Sequence, residues 1–222
     1  MAPRAIVFDF DGVIADSEAP ANRVLAECLT EIGLETSYED ALDYYCGHRW
    51  SDCITRIEAR HGARLPAGFV EDCQARTWER VQREIVPVPG IADFLERCAH
   101  LPRALASSST PDWLEGLLAR FGLAHHFEGR IFSAAGLARG KPHPDIYLQA
   151  AAGLGVAPSE CAAIEDSPIG VAAAAAANMH VVGLCAASHI RAGHEERLRA
   201  AGAHHVARSY REVEALLFAS AR

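Results

Sequence analysis

Close to its start the chain reads IVFDFDGVIADSE, residues 6–18, which sets Asp9, Asp11 and Asp16 directly behind an apolar run. Carboxylates this close repel one another unless a cation stands between them. Hard oxygen ligands suit Mg²⁺, which keeps several waters and shares its shell with a phosphate. Three later stretches supply groups that would complete such a site: Ser107 in ALASSS, Lys141 in GKPHPD, and Glu165 with Asp166 in AIEDSP. Singly, each has an ordinary explanation: an Asp-Gly pair makes a turn, a serine ending a strand caps the next helix, and Glu-Asp charges a helix start. An EF-hand reading of Asp9 and Asp11 fails, because Gly12 falls at the fourth loop position instead of the sixth and no glutamate closes the loop.

Lys141 tips the balance, since it is the only lysine among 21 lysines and arginines. An ammonium is a compact charge with three donors, suited to neutralising a carboxylate and a phosphate oxygen together in a confined site. Asp9 and Asp166 would then hold the metal, and a carboxylate beside Mg²⁺ and Lys141 is a competent nucleophile towards phosphorus.

These groups need a scaffold that brings them to one rim. Short strand-like runs recur at 5–9, 103–107, 130–133, 161–166 and 180–184, each followed by helical periodicity, which predicts a parallel sheet covered on both faces. In such sheets ligands bind beyond the carboxyl ends of the strands. Asp9, Ser107 and Glu165-Asp166 end three of the runs, and Lys141 lies on the loop after the run at 130–133. The rhythm breaks between the first two runs, where helical patterns fill 17–33, 38–46, 51–61 and 68–85. Gly33, Gly47 and Gly62 are natural stops there, and Ser37 or Ser51 are candidate N-caps. PVPG at 87–90 forbids the last helix from continuing. The division expected is therefore a Rossmann-like core over 1–16 and 86–222 with a helical domain over 17–85 inserted into it.

Composition narrows the partners. A chain of 222 residues, 50% hydrophobic, can bury a substantial core with a smaller satellite, and a net charge of −8 without a basic run argues against a nucleic-acid surface. No stretch approaches a membrane span, and the N-terminus lacks a signal-like lead, so a cytoplasmic monomer acting on a small molecule is expected. The seven cysteines are scattered with no CxxC pair, and the eleven histidines form no HExxH, so neither set reads as a zinc site.

In order along the chain, DFDGVIADSE, Ser107 in ALASSS, Lys141 in GKPHPD and AIEDSPIGVAAAAAAN resemble the four motifs of the haloacid dehalogenase superfamily. The resemblance covers the whole chain and is closest in pattern to small sugar-phosphate phosphatases and β-phosphoglucomutase. It implies an α/β fold, a three-layer Rossmann-like core with a mostly parallel sheet and an inserted α-helical cap. Carried over by position, it makes Asp9 the nucleophile that forms a phosphoaspartate and Asp11 the general acid and base. Ser107 becomes the donor to the phosphoryl oxygens, with Ser108 beside it at the substrate, and Lys141 the charge balance. Mg²⁺ would take Asp9, the Asp11 carbonyl and Asp166, with Glu165 acting through water. Asn178 stands where relatives commonly end the last motif helix with glycine, and it tolerates the left-handed backbone such an end requires.

The activity implied is Mg²⁺-dependent hydrolysis of a small phosphate monoester, a sugar or related metabolite phosphate, with a β-phosphoglucomutase-like phosphoryl transfer as the alternative. The mutase pattern has a histidine where this chain has Ala21, and an arginine after the cap-loop glycine where it has Trp50. Dehalogenases lack the second motif aspartate, whereas Asp11 is present, and phosphonate-cleaving relatives need a cap lysine, which is absent. A receiver-like signalling module would carry its phosphoacceptor after a later strand and no helical insert. The cap loop CGHRWSDC, residues 46–53, is the expected selecting surface, with His48 and Arg49 binding substrate and Trp50 either packing on a ring or filling the cap core.

Overall fold

The computed structural model describes residues 2–218. Strand β1 (Ala5–Phe8) alternates its side chains strictly, with Ile6 and Phe8 facing one core and Ala5 and Val7 the other. That alternation on a strand buried throughout marks the middle of a sheet covered on both faces. The chain next forms four helices: α1 (Glu18–Glu31), α2 (Tyr38–Tyr44), α3 (Trp50–His61) and α4 (Phe69–Glu84). It then returns through α5 (Ile91–Arg97) and alternates strand and helix: β2 (Arg103–Ser107), α6 (Pro111–Phe121), β3 (Ile131–Ser133), α7 (Asp145–Leu154), β4 (Cys161–Glu165), α8 (Pro168–Ala176), β5 (His180–Leu184), α9 (His194–Ala200), β6 (His205–Ala207) and α10 (Tyr210–Phe218).

All six strands are parallel, in the order β3-β2-β1-β4-β5-β6. From β1 the chain moves to one side through β2 and β3 and to the other through β4, β5 and β6, so the strand order reverses between β1 and β4. The crevice at the carboxyl ends of these two strands is the switch point where such sheets bind ligands. Helices α5, α6 and α10 cover one face, where Phe8 meets the rings of Phe94 and Phe127 edge-on at 6.1 and 5.8 Å. Helices α7 and α8 cover the other, with Tyr147 and the small alanines of α8 packed flat on the sheet.

Helices α1 to α4 gather around an apolar cluster of their own, which includes Leu29, Ala41, Tyr45, Ile57 and Cys73. Ser37 caps α2 as expected, in a capping box with Asp40. Ser51 does not cap α3: the helix starts a residue earlier at Trp50, and Arg49 occupies the cap position without a side-chain bond to the backbone. The two segments joining this cluster to the sheet run side by side, the Asp16 N–H donating to Val86 O at 3.0 Å and the Val88 N–H to Ile14 O at 2.9 Å. Strand β6 was not expected. Asn178 follows α8 with a positive φ of 63°, the left-handed conformation anticipated from its type.

Candidate active site

At the switch point β1 delivers Asp9 and β4 delivers Glu165 and Asp166, whose carboxylate oxygens lie within 4.8 Å of one another and are all buried. Lys141 reaches them from the loop before α7. Its Nζ donates to Asp9 Oδ1 at 2.7 Å and to Glu165 Oε1 at 2.6 Å, with its side chain only 2% exposed. Burial disfavours the ammonium, but the carboxylates of Asp9 and Glu165 outweigh it and hold the Lys141 pKa above the ordinary lysine value. Three acids still face one ammonium. Burial, and then repulsion from Glu165, raises both Asp9 and Asp166 well above the ordinary aspartate range.

Glu165, expected at the metal through water, is held by four protein donors. Its Oε1 accepts from Lys141 and from the Tyr147 hydroxyl at 2.8 Å, and its Oε2 from the Ser167 N–H and hydroxyl at 2.9 and 3.0 Å. All its accepting capacity is spent on protein donors, because α8 starts directly after β4 and turns its capping serine back onto the strand end. Gly170 permits this closeness, since a Cβ there would overlap the Glu165 carboxylate.

Asp166 is the opposite case. His189 Nε2 stands 3.1 Å from its Oδ2, an ion-pair distance, yet without hydrogen-bond alignment, so Oδ2 is buried with no donor. Burial also lowers the His189 pKa, which leaves the imidazole neutral near pH 7 and no counter-charge for the acid. Gly12 arches over the same oxygen with φ +78°, where a Cβ would overlap it. A divalent cation fits this arrangement: an orphaned buried carboxylate oxygen beside Asp9, with one ammonium insufficient for the charge.

Asp11 stands at the edge of the cluster. Its Oδ1 accepts from the Ser17 hydroxyl at 2.5 Å and the Trp113 indole N–H at 3.2 Å, and its Oδ2 from the Ser109 hydroxyl at 2.5 Å. Asp16, the third acid of the opening run, turns away to accept from the N–H and hydroxyl of Ser188. Ser107, buried at the end of β2, accepts the Ser109 N–H at 3.1 Å, and the neighbouring Ser108 hydroxyl donates to Gly47 O of the cap loop at 3.3 Å.

A cavity of about 520 Å³ opens between the sheet rim and helices α1 to α4, with Asp9, Asp11, Ser107 and Ser108 on the sheet side and His48, Arg49 and Trp50 on the other. Arg49, expected to bind substrate, lines the cavity and is also bonded within the protein. Its Nε donates to Asp52 at 2.8 Å and its Nη1 to Leu137 O at 2.7 Å, so it ties the cap loop to the core. His48 is held neutral, its pKa lowered to about 4 by burial and the charge of Arg56. Trp50 both lines the cavity and packs on the cap cluster.

Sequence reasoning missed Tyr147, Ser109, Trp113 and Glu18. Glu18 lines the cavity with its pKa raised to about 7, by burial first and then by the charge of Asp11. Its position beside Ser17, at the start of a helix that follows the acidic motif directly, was the available signal.

A family model for haloacid dehalogenase-like hydrolases matches residues 3–178. The chain belongs to that family. Hexitol phosphatase B of Escherichia coli is 34% identical over 182 residues, covering 80% of this chain and 82% of the relative. Beta-phosphoglucomutase of Bacillus subtilis is 29% identical over 199 residues, covering 82% and 83%. A solved structure of a haloacid dehalogenase-like protein of unknown function from Agrobacterium tumefaciens superposes with a TM-score of 0.85 at 34% identity, over 99% of each chain. The family resemblance and the three-layer fold drawn from the motifs thus both hold, and the chain is a hydrolase. Among the described residues no helix is long and apolar enough to cross a membrane.

Proposed function

We propose that the chain hydrolyses a small phosphate monoester, a sugar or related metabolite phosphate, through a phosphoaspartate on Asp9, with residues 17–85 acting as a cap over the core formed by 1–16 and 86–222. The observation that carries this reading is the Lys141 ammonium fixed between Asp9 and Glu165 beside the unpartnered Asp166 oxygen. In phosphoryl transfer most of catalysis is positioning and charge stabilisation, and this constellation supplies both.

Asp9, Asp166 and the Asp11 carbonyl would hold Mg²⁺, which supplies charge neutralisation for Asp9 and the phosphoryl oxygens. Asp9 attacks phosphorus, forming a P–O bond to the carboxylate as the ester P–O bond breaks, and Asp11 gives a proton to the departing oxygen. In the second step Asp11 takes a proton from the attacking water and the bond to Asp9 breaks. Ser107 donates to the phosphoryl oxygens. Lys141 balances Asp9, and Glu165 keeps Lys141 in place. The donors Ser17, Ser109 and Trp113 fix the orientation of Asp11.

The mutase alternative lacks support from the cap: Ala21 and Trp50 replace its histidine and arginine, and Arg49 is engaged by Asp52 and the core loop. The test is phosphate release from a panel of phosphate esters, with and without Mg²⁺, by wild type and Asp9→Asn. Activity is expected to require Mg²⁺ and to vanish in Asp9→Asn; residual turnover within about tenfold of wild type would sink the assignment, because a covalent nucleophile contributes far more. Supplied with β-glucose 1-phosphate and a bisphosphate primer, the enzyme should give inorganic phosphate or nothing. Glucose 6-phosphate accumulating faster than phosphate would establish the mutase instead.

A further inference from the structure

At the other end of the sheet from Asp9, three groups with metal-binding atoms converge and take no part in the acidic site. Helix α5 leads into the start of β2, and the segment 122–130 leads into the start of the parallel β3, so Glu96 from the one and His125 and His126 from the other meet at the amino ends of the strands. One ligand atom from each lies within 4.8 Å of the others. Glu96 Oε1 stands 3.4 Å from His126 Nε2 and 3.9 Å from His125 Nε2, and the two imidazole rings lie 3.9 Å apart. A tetrahedral shell with bonds of about 2.0–2.1 Å has ligand-to-ligand edges of about 3.3 Å, so small rotations of the exposed Glu96 and His125 side chains would close the group on one ion. His126 is only 5% exposed, yet its ring makes no hydrogen bond to the described residues. Burial lowers its pKa, which leaves a ring lone pair free near pH 7. The backbone is fixed on both sides of the group. Arg103 donates to the carbonyls of Leu95 and Ala99 around the end of α5, and Phe127, next to His126, is held edge-on against Phe8 in the core.

We infer that Glu96, His125 and His126 form a second metal site, for Zn²⁺ or a similar borderline divalent ion, with one position open to water. Two imidazoles and a carboxylate suit Zn²⁺ and suit Mg²⁺ poorly, since Mg²⁺ prefers an all-oxygen shell. The site is therefore chemically distinct from the oxygen-only cluster of Asp9 and Asp166, and it stands whether or not the chain is a phosphatase. No metal motif marks it in the sequence, because the acid and the imidazoles come from separate segments. Its effect is mechanical: a bound ion ties α5, which leads into β2, to the turn that leads into β3.

Calorimetric titration of the metal-free protein with Zn²⁺ in excess Mg²⁺ tests this. Binding is expected, and His125→Gln and Glu96→Gln should each weaken it by at least about tenfold, since losing even an outer partner of a metal ligand costs about 10–100-fold. Both side chains are exposed, so neither variant endangers the fold, whereas His126→Gln would disturb a buried position. Co²⁺ in place of Zn²⁺ reads the ligands directly. Four-coordinate Co²⁺ with nitrogen ligands absorbs visible light far more strongly than six-coordinate, oxygen-bound Co²⁺, and this absorption should disappear in His125→Gln. No Zn²⁺ bound in excess Mg²⁺, binding left unweakened by either variant, or only the weak spectrum of oxygen-bound Co²⁺ would overturn the site. Zn²⁺ held by the Asp9 cluster instead would appear as binding lost in Asp166→Asn and unchanged in His125→Gln, which overturns it equally.

Discussion

Replacing Lys141 with methionine isolates the charge that holds the acidic cluster together. The side chain is about the same length and the position is buried, so the change removes the ammonium and little else. It leaves Asp9 and Glu165 facing one another with Asp166 close by, all buried. Removing one partner of a buried ion pair costs about 3–5 kcal/mol, because the other charge remains without compensation. At about 2–4 °C per kcal/mol for a chain of this size, the metal-free variant should melt about 6–20 °C below wild type near pH 8. The sign of the pH dependence follows from the carboxylates. Lys141 lowers the pKa values of Asp9 and Asp166, which burial and Glu165 raise, so its removal pushes them further up. A carboxyl whose folded pKa is raised binds more protons in the native state than in the unfolded one, so the variant loses stability as pH rises from the ordinary carboxylate range towards neutrality. The deficit should therefore shrink near pH 5. Thermal unfolding followed by circular dichroism at the two pH values, without metal, measures both quantities. A drop below about 3 °C that is equal at both would refute the claim that this ammonium compensates the cluster.

Glu18→Gln should alter stability in a defined window. The wild-type carboxyl titrates at about 7 in the folded state against an ordinary value of 4.5, so it costs the fold progressively more as pH rises from 4.5 to 7. Above that window the variant should be more stable by about 1–2 kcal/mol, the full shift discounted for partial exposure, and parallel urea midpoints for the two proteins between pH 4.5 and 8 would contradict this. The paired segments at 14–16 and 86–88 should act as one pivot for cap opening, with their amides exchanging faster than those of β1 and slowing when a phosphate analogue binds. Exchange as slow as in the core strands, with and without the analogue, would place the motion elsewhere.

Much of this arrangement is legible in the sequence because strand ends carry the chemistry. The run at 5–9 and the run at 161–166 each place an acid at the end of an apolar strand, and parallel neighbours bring these ends together. Strand β6 escaped because its three residues include His205 and only partly bury Val206; it is a strand through its pairing with β5, not through its own pattern. Tyr147 and Trp113 were missed for a different reason. Each sits on an amphipathic helix where an aromatic residue serves equally as core filling, and only the fold turns the Tyr147 hydroxyl to Glu165 and the Trp113 indole to Asp11. Arg49 shows the converse, a cation in a cavity whose charge is cancelled by Asp52, three residues along in the same loop motif.

The side-by-side pairing of Ile14–Asp16 with Val86–Val88 also matters for how such a molecule can change over evolutionary time. The chain leaves the sheet layer and comes back to it at nearly the same place, so whatever lies between can be lengthened, shortened or exchanged without altering a single strand register. Insertions are tolerated where their ends are close and few contacts cross the junction. The acidic rim would stay untouched by such a graft, while the wall that bears Glu18, His48 and Arg49 would be replaced as a unit. New specificities can then arise by recombination at two neighbouring seams, without the slower remodelling of a reactive centre.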